Sequence, residues 1–253
     1  MTITHAAAAG FETDADRYAR GRPDYPAEVA SWLRDTLHLG PGKTVIDLGA
    51  GTGKFTKRLI ETGADVIAVE PAAAMRAKLT EIAGLKVLEG TAEAIPLTDA
   101  SVDAIVCAQA FHWFATKAAL AEIARVLKPG SVLGLIWNTH DTGVTWVNAL
   151  SEVTSAYEGD APRFRSGKWR DAFPAPGFAP LEEASFANAQ TGPAEQIVVD
   201  RMLSTSFIAT LPSSERQIVA DKLRAIIAGE PELADRDEIT IPYRTFAYSA
   251  TRL

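Results

Sequence analysis

Residues 44–70 read TVIDLGAGTGKFTKRLIETGADVIAVE. Val45, Ile46 and Leu48 form the short apolar run of a strand buried on both faces. Gly49-Ala50-Gly51-Thr52-Gly53 comes directly after it. Glycines at alternate positions allow a sharp turn and let a ligand approach the main chain without meeting a Cβ atom. Phe55, Leu59 and Ile60 then supply an apolar face at helical spacing, and Gly63 suits the helix end. Val66, Ile67 and Val69 make a second strand that ends on Glu70. The stretch is one βαβ unit whose ligand crevice lies at the carboxyl ends of its strands. The dinucleotide fingerprint G-x-G-x-x-G, started at Gly49, requires glycine where Lys54 stands. The pattern is instead G-x-G-x-G, preceded by Asp47. An acid about 20 residues beyond such a turn can accept hydrogen bonds from both ribose hydroxyls. Glu70 is that acid, and it suits an unphosphorylated ribose.

VIDLGAGTG (45–53) with VIAVEP (66–71) resembles the first two motifs of class I S-adenosylmethionine-dependent methyltransferases. The resemblance continues through GTAEAIPL (90–97), the strand near Ala104–Gln109, and LKPGSVL (127–133). YARGRPDYP (18–26) and QAFHWF (109–114) look most like small-molecule members related to trans-aconitate methyltransferases. The resemblance implies an α/β, doubly wound, seven-stranded, mostly parallel sheet in the order 3-2-1-4-5-7-6, with the seventh strand antiparallel and a helical cap. It implies S-adenosylmethionine as cofactor, held by Asp47, Gly49, Ala50, Gly51, Gly53, Glu70 and Pro71. Met75 would lie against the adenine, with Ala92 and Glu93 bordering it and Gln109 nearby. Tyr18 and Arg22 would fold over the methionine end, where Arg22 meets its carboxylate.

Composition sets the remaining bounds. The 253 residues suffice for one large domain, and a hydrophobic fraction of 47% supports a core without disulfides. A net charge of −7 argues against a nucleic-acid partner, since such binders carry a basic surface. The single cysteine, Cys107, lies in an apolar strand and reads as a small core filler. It also fits a reducing compartment. MTITHAAAAG shows no signal-peptide pattern, and no stretch approaches ~18 consecutive apolar residues. The expectation is a cytoplasmic protein with no membrane partner and no metal.

The whole chain, 1–253, reads as a single domain: an arm and helix (1–40), a cofactor-binding core (41–140), and a cap (159–230) inserted before the last strand. Helices are expected at Pro26–Leu39, Pro71–Ala83, Ala118–Leu127, Val144–Tyr157, Pro193–Leu211 and Ser213–Ala228. Lys128-Pro129-Gly130 reads as a turn into the strand Val132–Trp137. Strands are also expected at Leu181–Ala187 and Glu238–Tyr248.

The acceptor side is less legible. Methyltransferases acting on amide or exocyclic amino nitrogen often carry an N/D-P-P-Y/F loop where this chain has Gln109–Phe114, so that class is disfavoured. His112 is the candidate general base, since its unperturbed pKa lies near neutrality, or else a hydrogen-bonded wall residue. Tyr25, Trp113, Trp137 and Asn138 are expected at the acceptor. Arg163 and Arg165, in a basic run within an acidic chain, suit an anionic acceptor through their forked donors. The expected function is methyl transfer from S-adenosylmethionine to a small molecule, on a carboxylate or hydroxyl oxygen. The alternatives are a non-catalytic S-adenosylmethionine-binding module and an NAD-linked oxidoreductase.

Overall fold

The apolar runs of the βαβ unit form strands because both faces of each are covered. β1 (Thr44–Leu48) is enclosed from Val45 onward, and β2 (Asp65–Val69) from Val66. α2 (Lys54–Ile60) joins them and buries Phe55 and Leu59, whereas Ile60, expected on the same face, is 40% exposed. The computed structural model describes residues 22–234 and 236–253; Tyr18 lies outside the described residues.

Before the unit, α1 (Glu28–Ser31) continues as a π-helical turn, Trp32–Thr36. After it come α3 (Ala73–Leu79), β3 (Lys86–Leu88) and β4 (Val102–Ala108). α4 (Lys117–Val126) begins where Thr116 Oγ1 accepts a hydrogen bond from the Ala119 amide, an N-cap. β5 (Leu127–His140), α5 (Thr145–Ser155), β6 (Glu182–Gly192) and β7 (Ile239–Thr251) complete the sheet region.

The sheet has seven strands in the order β3-β2-β1-β4-β5-β7-β6, as the resemblance implies. β1 is parallel to β2 and β4, and β4 is parallel to β5. The final strand runs against β5: the Arg252 amide donates to Ser131, whereas the Asp141 amide donates to Pro242.

Two expectations change. Lys128-Pro129-Gly130 does not precede β5 but lies within it. Val102 pairs with Leu127 while Ala104 pairs with Val132, so the extra residues bulge out of the ladder. Gly130, at φ +78°, supplies the conformation that the bulge needs. The single helix expected at Pro193–Leu211 is broken into a π-helical turn (Glu195–Asp200), α6 (Arg201–Leu203) and α7 (Ser206–Ala209). The β-branched run Ile197-Val198-Val199 lies within the π-helical turn, and the chain breaks after it at Ser204–Thr205, where Thr205 is extended (φ −67°, ψ 133°) and begins α7. α8 (Ser213–Gly229) forms as expected.

By compactness the chain divides into two units. The larger comprises Tyr25–Trp137, Pro162–Phe186 and Thr245–Leu253. The smaller comprises the described residues up to Asp24, with Asn138–Ala161 and Ala187–Arg244. The range 159–230 expected as a cap contributes Pro162–Phe186 to the larger unit, and Gly159–Ala161 with the stretch from Ala187 to the smaller. In the larger unit, side chains line both sheet faces. One cluster joins Ile46, Leu48, Ile105, Cys107, Leu135 and Trp137 to α4; the other joins Val45, Val106 and Ile136 to α1 and α2. Gly134 lets α1 sit close, since a Cβ there would lie 2.8 Å from Leu37 and 2.9 Å from Trp32. The smaller unit packs α5 and α8 with Ile197, Val198, Met202, Ile208, Ile241 and Tyr243.

Candidate active site

The site of the larger unit is built from loops that leave the carboxyl ends of β1, β2 and β4. The turn after β1 has all three glycines at positive φ: Gly49 +73°, Gly51 +57° and Gly53 +84°. Their surroundings differ. A Cβ on Gly49 would lie 2.9 Å from Ala110 Cβ, and one on Gly53 would lie 2.7 Å from Ile82 and 2.9 Å from Leu79. A Cβ on Gly51 would meet nothing within 4 Å among the described residues. The outer glycines are packed against protein, and the middle one faces open space.

Glu70 ties this turn to β2. One carboxylate oxygen accepts from the Gly51 amide and the other from the Ala72 amide, each at 2.9 Å. The side chain is only 7% exposed. Burial raises its pKa, against the pull of the two amides and Arg76. Arg76 of α3 also donates to the Glu70 and Pro71 carbonyls and pairs with Glu89. Met75 of the same helix is buried and Pro71 is exposed.

Asp47, near the end of β1, is fully buried. Thr56 Oγ1 donates to its Oδ2 at 2.6 Å, whereas Oδ1 is enclosed with no hydrogen-bond partner among the described residues. Burial pushes this carboxyl up to about 7; the Thr56 bond opposes the shift and the Glu70 charge adds to it. Between the unfolded value near 4 and about 7 the native state holds a proton that the unfolded chain has released. Stability therefore falls as pH rises through that window, by up to about 4 kcal/mol. Asp47→Asn should flatten this dependence: thermal melts at pH 5 and pH 8 should lie closer together in the variant than in wild type. An equal spacing would show that Asp47 is ionised throughout.

The loop after β3 closes on itself, Thr91 and Ala94 exchanging backbone hydrogen bonds. Ala92 is buried and Glu93 exposed. Arg125 of α4 fastens the adjoining segment, donating to the Ile95 and Leu97 carbonyls, while Glu122 accepts from the Ile95 amide. Sequence reading missed this clasp, because its partners lie about a helix and a strand apart.

At the end of β4, Gln109 sits at φ +58°, a left-handed conformation strained for a residue with a Cβ. It turns the chain into the 3₁₀ turn Phe111–Trp113. His112 and Trp113 are half-buried with ring centroids 5.1 Å apart. Trp137 of β5 donates from Nε1 to His112 Nδ1 at 3.0 Å.

Two expected acceptor contacts are corrected. Trp137 is fully buried and packs among Phe164, Trp169 and Tyr248, so it backs His112. Tyr25, 7% exposed, meets Phe55 edge-to-face at 4.7 Å and belongs to the core under α1 and α2. Both aromatics lie close in sequence to polar motifs, but burial of a large apolar ring decides their place. Arg163 is half-buried with Nε and Nη2 enclosed, and Arg165 is exposed.

The smaller unit holds the other expected residues. Asn138 donates to the Asp24 carbonyl and accepts from Asn188. His140 Nε2 and the Tyr243 hydroxyl are 2.9 Å apart. Tyr243 is 2% exposed; burial raises its pKa, opposed by the charges of Arg201 and Arg22 and by a hydrogen bond with Arg201. Arg22 thus shares a cluster with Arg201, Tyr243 and His140. Arg201 and Tyr243 carried no signal in the sequence.

In the larger unit, a G-x-G-x-G turn at the switch point, an acid ending β2 and parallel strands at its centre define a nucleoside-binding α/β enzyme. A model of the methyltransferase domain matches residues 46–135. The chain is 39% identical over 244 residues to an uncharacterised methyltransferase-like protein of Schizosaccharomyces pombe, covering 96% of this chain and 95% of that one. It is 35% identical over 142 residues to the malonyl-[acyl-carrier protein] O-methyltransferase of Methylococcus capsulatus, covering 48% and 51% respectively. The solved structure of the YcgJ protein of Bacillus subtilis shares the fold, with a TM-score of 0.58 at 19% identity, covering 90% of this chain and 99% of that one. The chain belongs to the methyltransferase family and is an S-adenosylmethionine-dependent enzyme. No helix among the described residues is long and apolar enough to cross a membrane.

Proposed function

We propose that the enzyme methylates an oxygen of a small, anionic acceptor, and that Asp47, the 49–53 turn, Glu70, Met75, Ala92, Glu93 and Gln109 hold the cofactor. The cofactor reading is carried by the contrast within the turn: a buried acid at its base and open space over Gly51 suit a nucleoside laid on the backbone. The orphaned Asp47 Oδ1 fits a ligand carrying donors and positive charge. When bound, S-adenosylmethionine supplies a methyl group activated by its sulfonium. Glu70, already fixed by two amides, offers its remaining lone pairs to ribose hydroxyls without reorganising. A fixed acceptor of this kind lowers the ordering cost of binding.

Two observations support an anionic acceptor reacting at oxygen. The half-buried Arg22, Arg201 and His140 gathered about Tyr243 are donors suited to a carboxylate, through charge-assisted bonds each worth about 1.5–3 kcal/mol. The relative from Methylococcus capsulatus is named a malonyl-[acyl-carrier protein] O-methyltransferase, which supports reaction at oxygen, and the resemblance of 18–26 and 109–114 to trans-aconitate methyltransferases supports a small carboxylate. The test is product analysis by mass spectrometry over a panel of carboxylic acids, phenols and primary amines. Methyl esters are expected, and Arg201→Gln should raise the acceptor KM at least tenfold with a smaller change in kcat. Methylated amines alone, or an unchanged KM, would reject the reading.

A further inference from the structure

The contact between Trp137 and His112 fixes where the histidine carries its proton. An indole N–H is a donor only. At 3.0 Å it must meet a lone pair, so His112 Nδ1 is unprotonated. A neutral imidazole has one N–H, which then sits on Nε2. A second proton on Nδ1 would set two N–H groups against each other at 3.0 Å, one of them on a fully buried indole. Trp137 cannot swing away to relieve this. It is fully buried, with centroids 4.9 Å from both Phe164 and Trp169, and Tyr248 closes it edge-on at 5.9 Å.

We propose that Trp137 is a positioning residue that locks His112 in the neutral Nε2–H tautomer, making His112 a hydrogen-bond donor in methyl transfer and not a general base. A ring nitrogen that already bears a proton takes none from a hydroxyl. The partner reaction is then one that needs no base, attack by an oxygen already ionised before binding. One C–O bond forms, one C–S bond breaks with its electron pair going to sulfur, and no proton is transferred. A carboxylate meets this condition at neutral pH, whereas an alcohol or ordinary phenol does not. The chemical consequence rests on the methyl-transfer reading above; the tautomer itself does not.

The test is long-range ¹H–¹⁵N correlation on ¹⁵N-histidine-labelled full-length protein, alone and with S-adenosylhomocysteine. His112 should show a pyridine-like Nδ1 and a protonated Nε2 at pH 7. The indole proton of Trp137 should correlate across the hydrogen bond to that Nδ1. In Trp137→Phe the single-tautomer signature should be lost. A protonated Nδ1 or an imidazolium in wild type overturns the proposal, and so does a folded Trp137→Phe protein that keeps the single tautomer. Should that variant not fold, the wild-type cross-bond correlation decides, and its absence counts against Trp137. S-adenosylhomocysteine that shifts no resonance would undo the cofactor reading while leaving the tautomer result intact.

Discussion

Glu70→Ala should weaken S-adenosylhomocysteine binding by about ten- to a hundredfold or more in calorimetric titration. The ribose contribution alone is one or two charge-assisted bonds at about 1.5–3 kcal/mol each, and ~1.4 kcal/mol is tenfold. The structure adds a second cause. Glu70 accepts from the Gly51 and Ala72 amides, so the variant also frees the turn that the ligand lies on. Glu70→Gln separates the two effects. Its carbonyl oxygen can serve one amide, but its NH₂ faces the other donor, so it should fall between wild type and alanine without restoring full affinity. Equal binding by all three proteins would remove Glu70 from the site. Wild-type protein that binds no S-adenosylhomocysteine would overturn the assignment of this crevice as the cofactor site.

The second large effect is a division of labour between neighbouring glycines. Gly53→Ala should be destabilising. The new methyl would press on Ile82 and Leu79 at a residue with φ +84°, and Leu79 is fully buried. Left-handed strain of about 1–2 kcal/mol and overpacking of about 1–3 kcal/mol together predict a Tm lower by roughly 5–15 °C. Gly51→Ala bears only the first of these costs, because its Cβ points into open space. Its expected loss is in affinity: at least tenfold for S-adenosylhomocysteine with a Tm drop of a few degrees. Melting curves and titrations on the two variants check this together. Loss of stability at Gly51 and of affinity alone at Gly53 would reverse the assignment of the crevice.

The pH behaviour of Asp47 belongs to the same arrangement. An acid held protonated near neutrality by burial is poised to ionise when positive charge arrives beside it. Its Oδ1 is enclosed with no hydrogen-bond partner among the described residues, so the energetic penalty shows in the free protein and would be offset on binding.

The central βαβ unit and the place of Glu70 at the end of β2 were legible in the sequence from local chemistry: a double-faced apolar run forms a buried strand, alternate glycines make a turn, and a fixed spacing places an acid at the next strand end. The order of the seven strands came only from the family resemblance, and the sheet has that order. The break in the helix expected at Pro193–Leu211 was not legible, because helical spacing alone does not register the extended Thr205 at which the chain turns into α7. Nor was the Lys128-Pro129-Gly130 bulge, because turn residues look alike whether they end a ladder or interrupt one. Trp137 and Tyr25 read as acceptor residues, and only packing shows them to be enclosed. The proton position on His112 depends on an indole 25 residues away along the chain, and the cluster around Tyr243 gathers Arg22, His140 and Arg201. Sequence by itself determined the glycine turn and the acid that fastens it, because Gly51, Glu70 and Ala72 lie within one short βαβ segment. The surroundings of His112 and of Tyr243 were decided by tertiary structure, since their partners come from distant strands and turns and meet only when the chain folds.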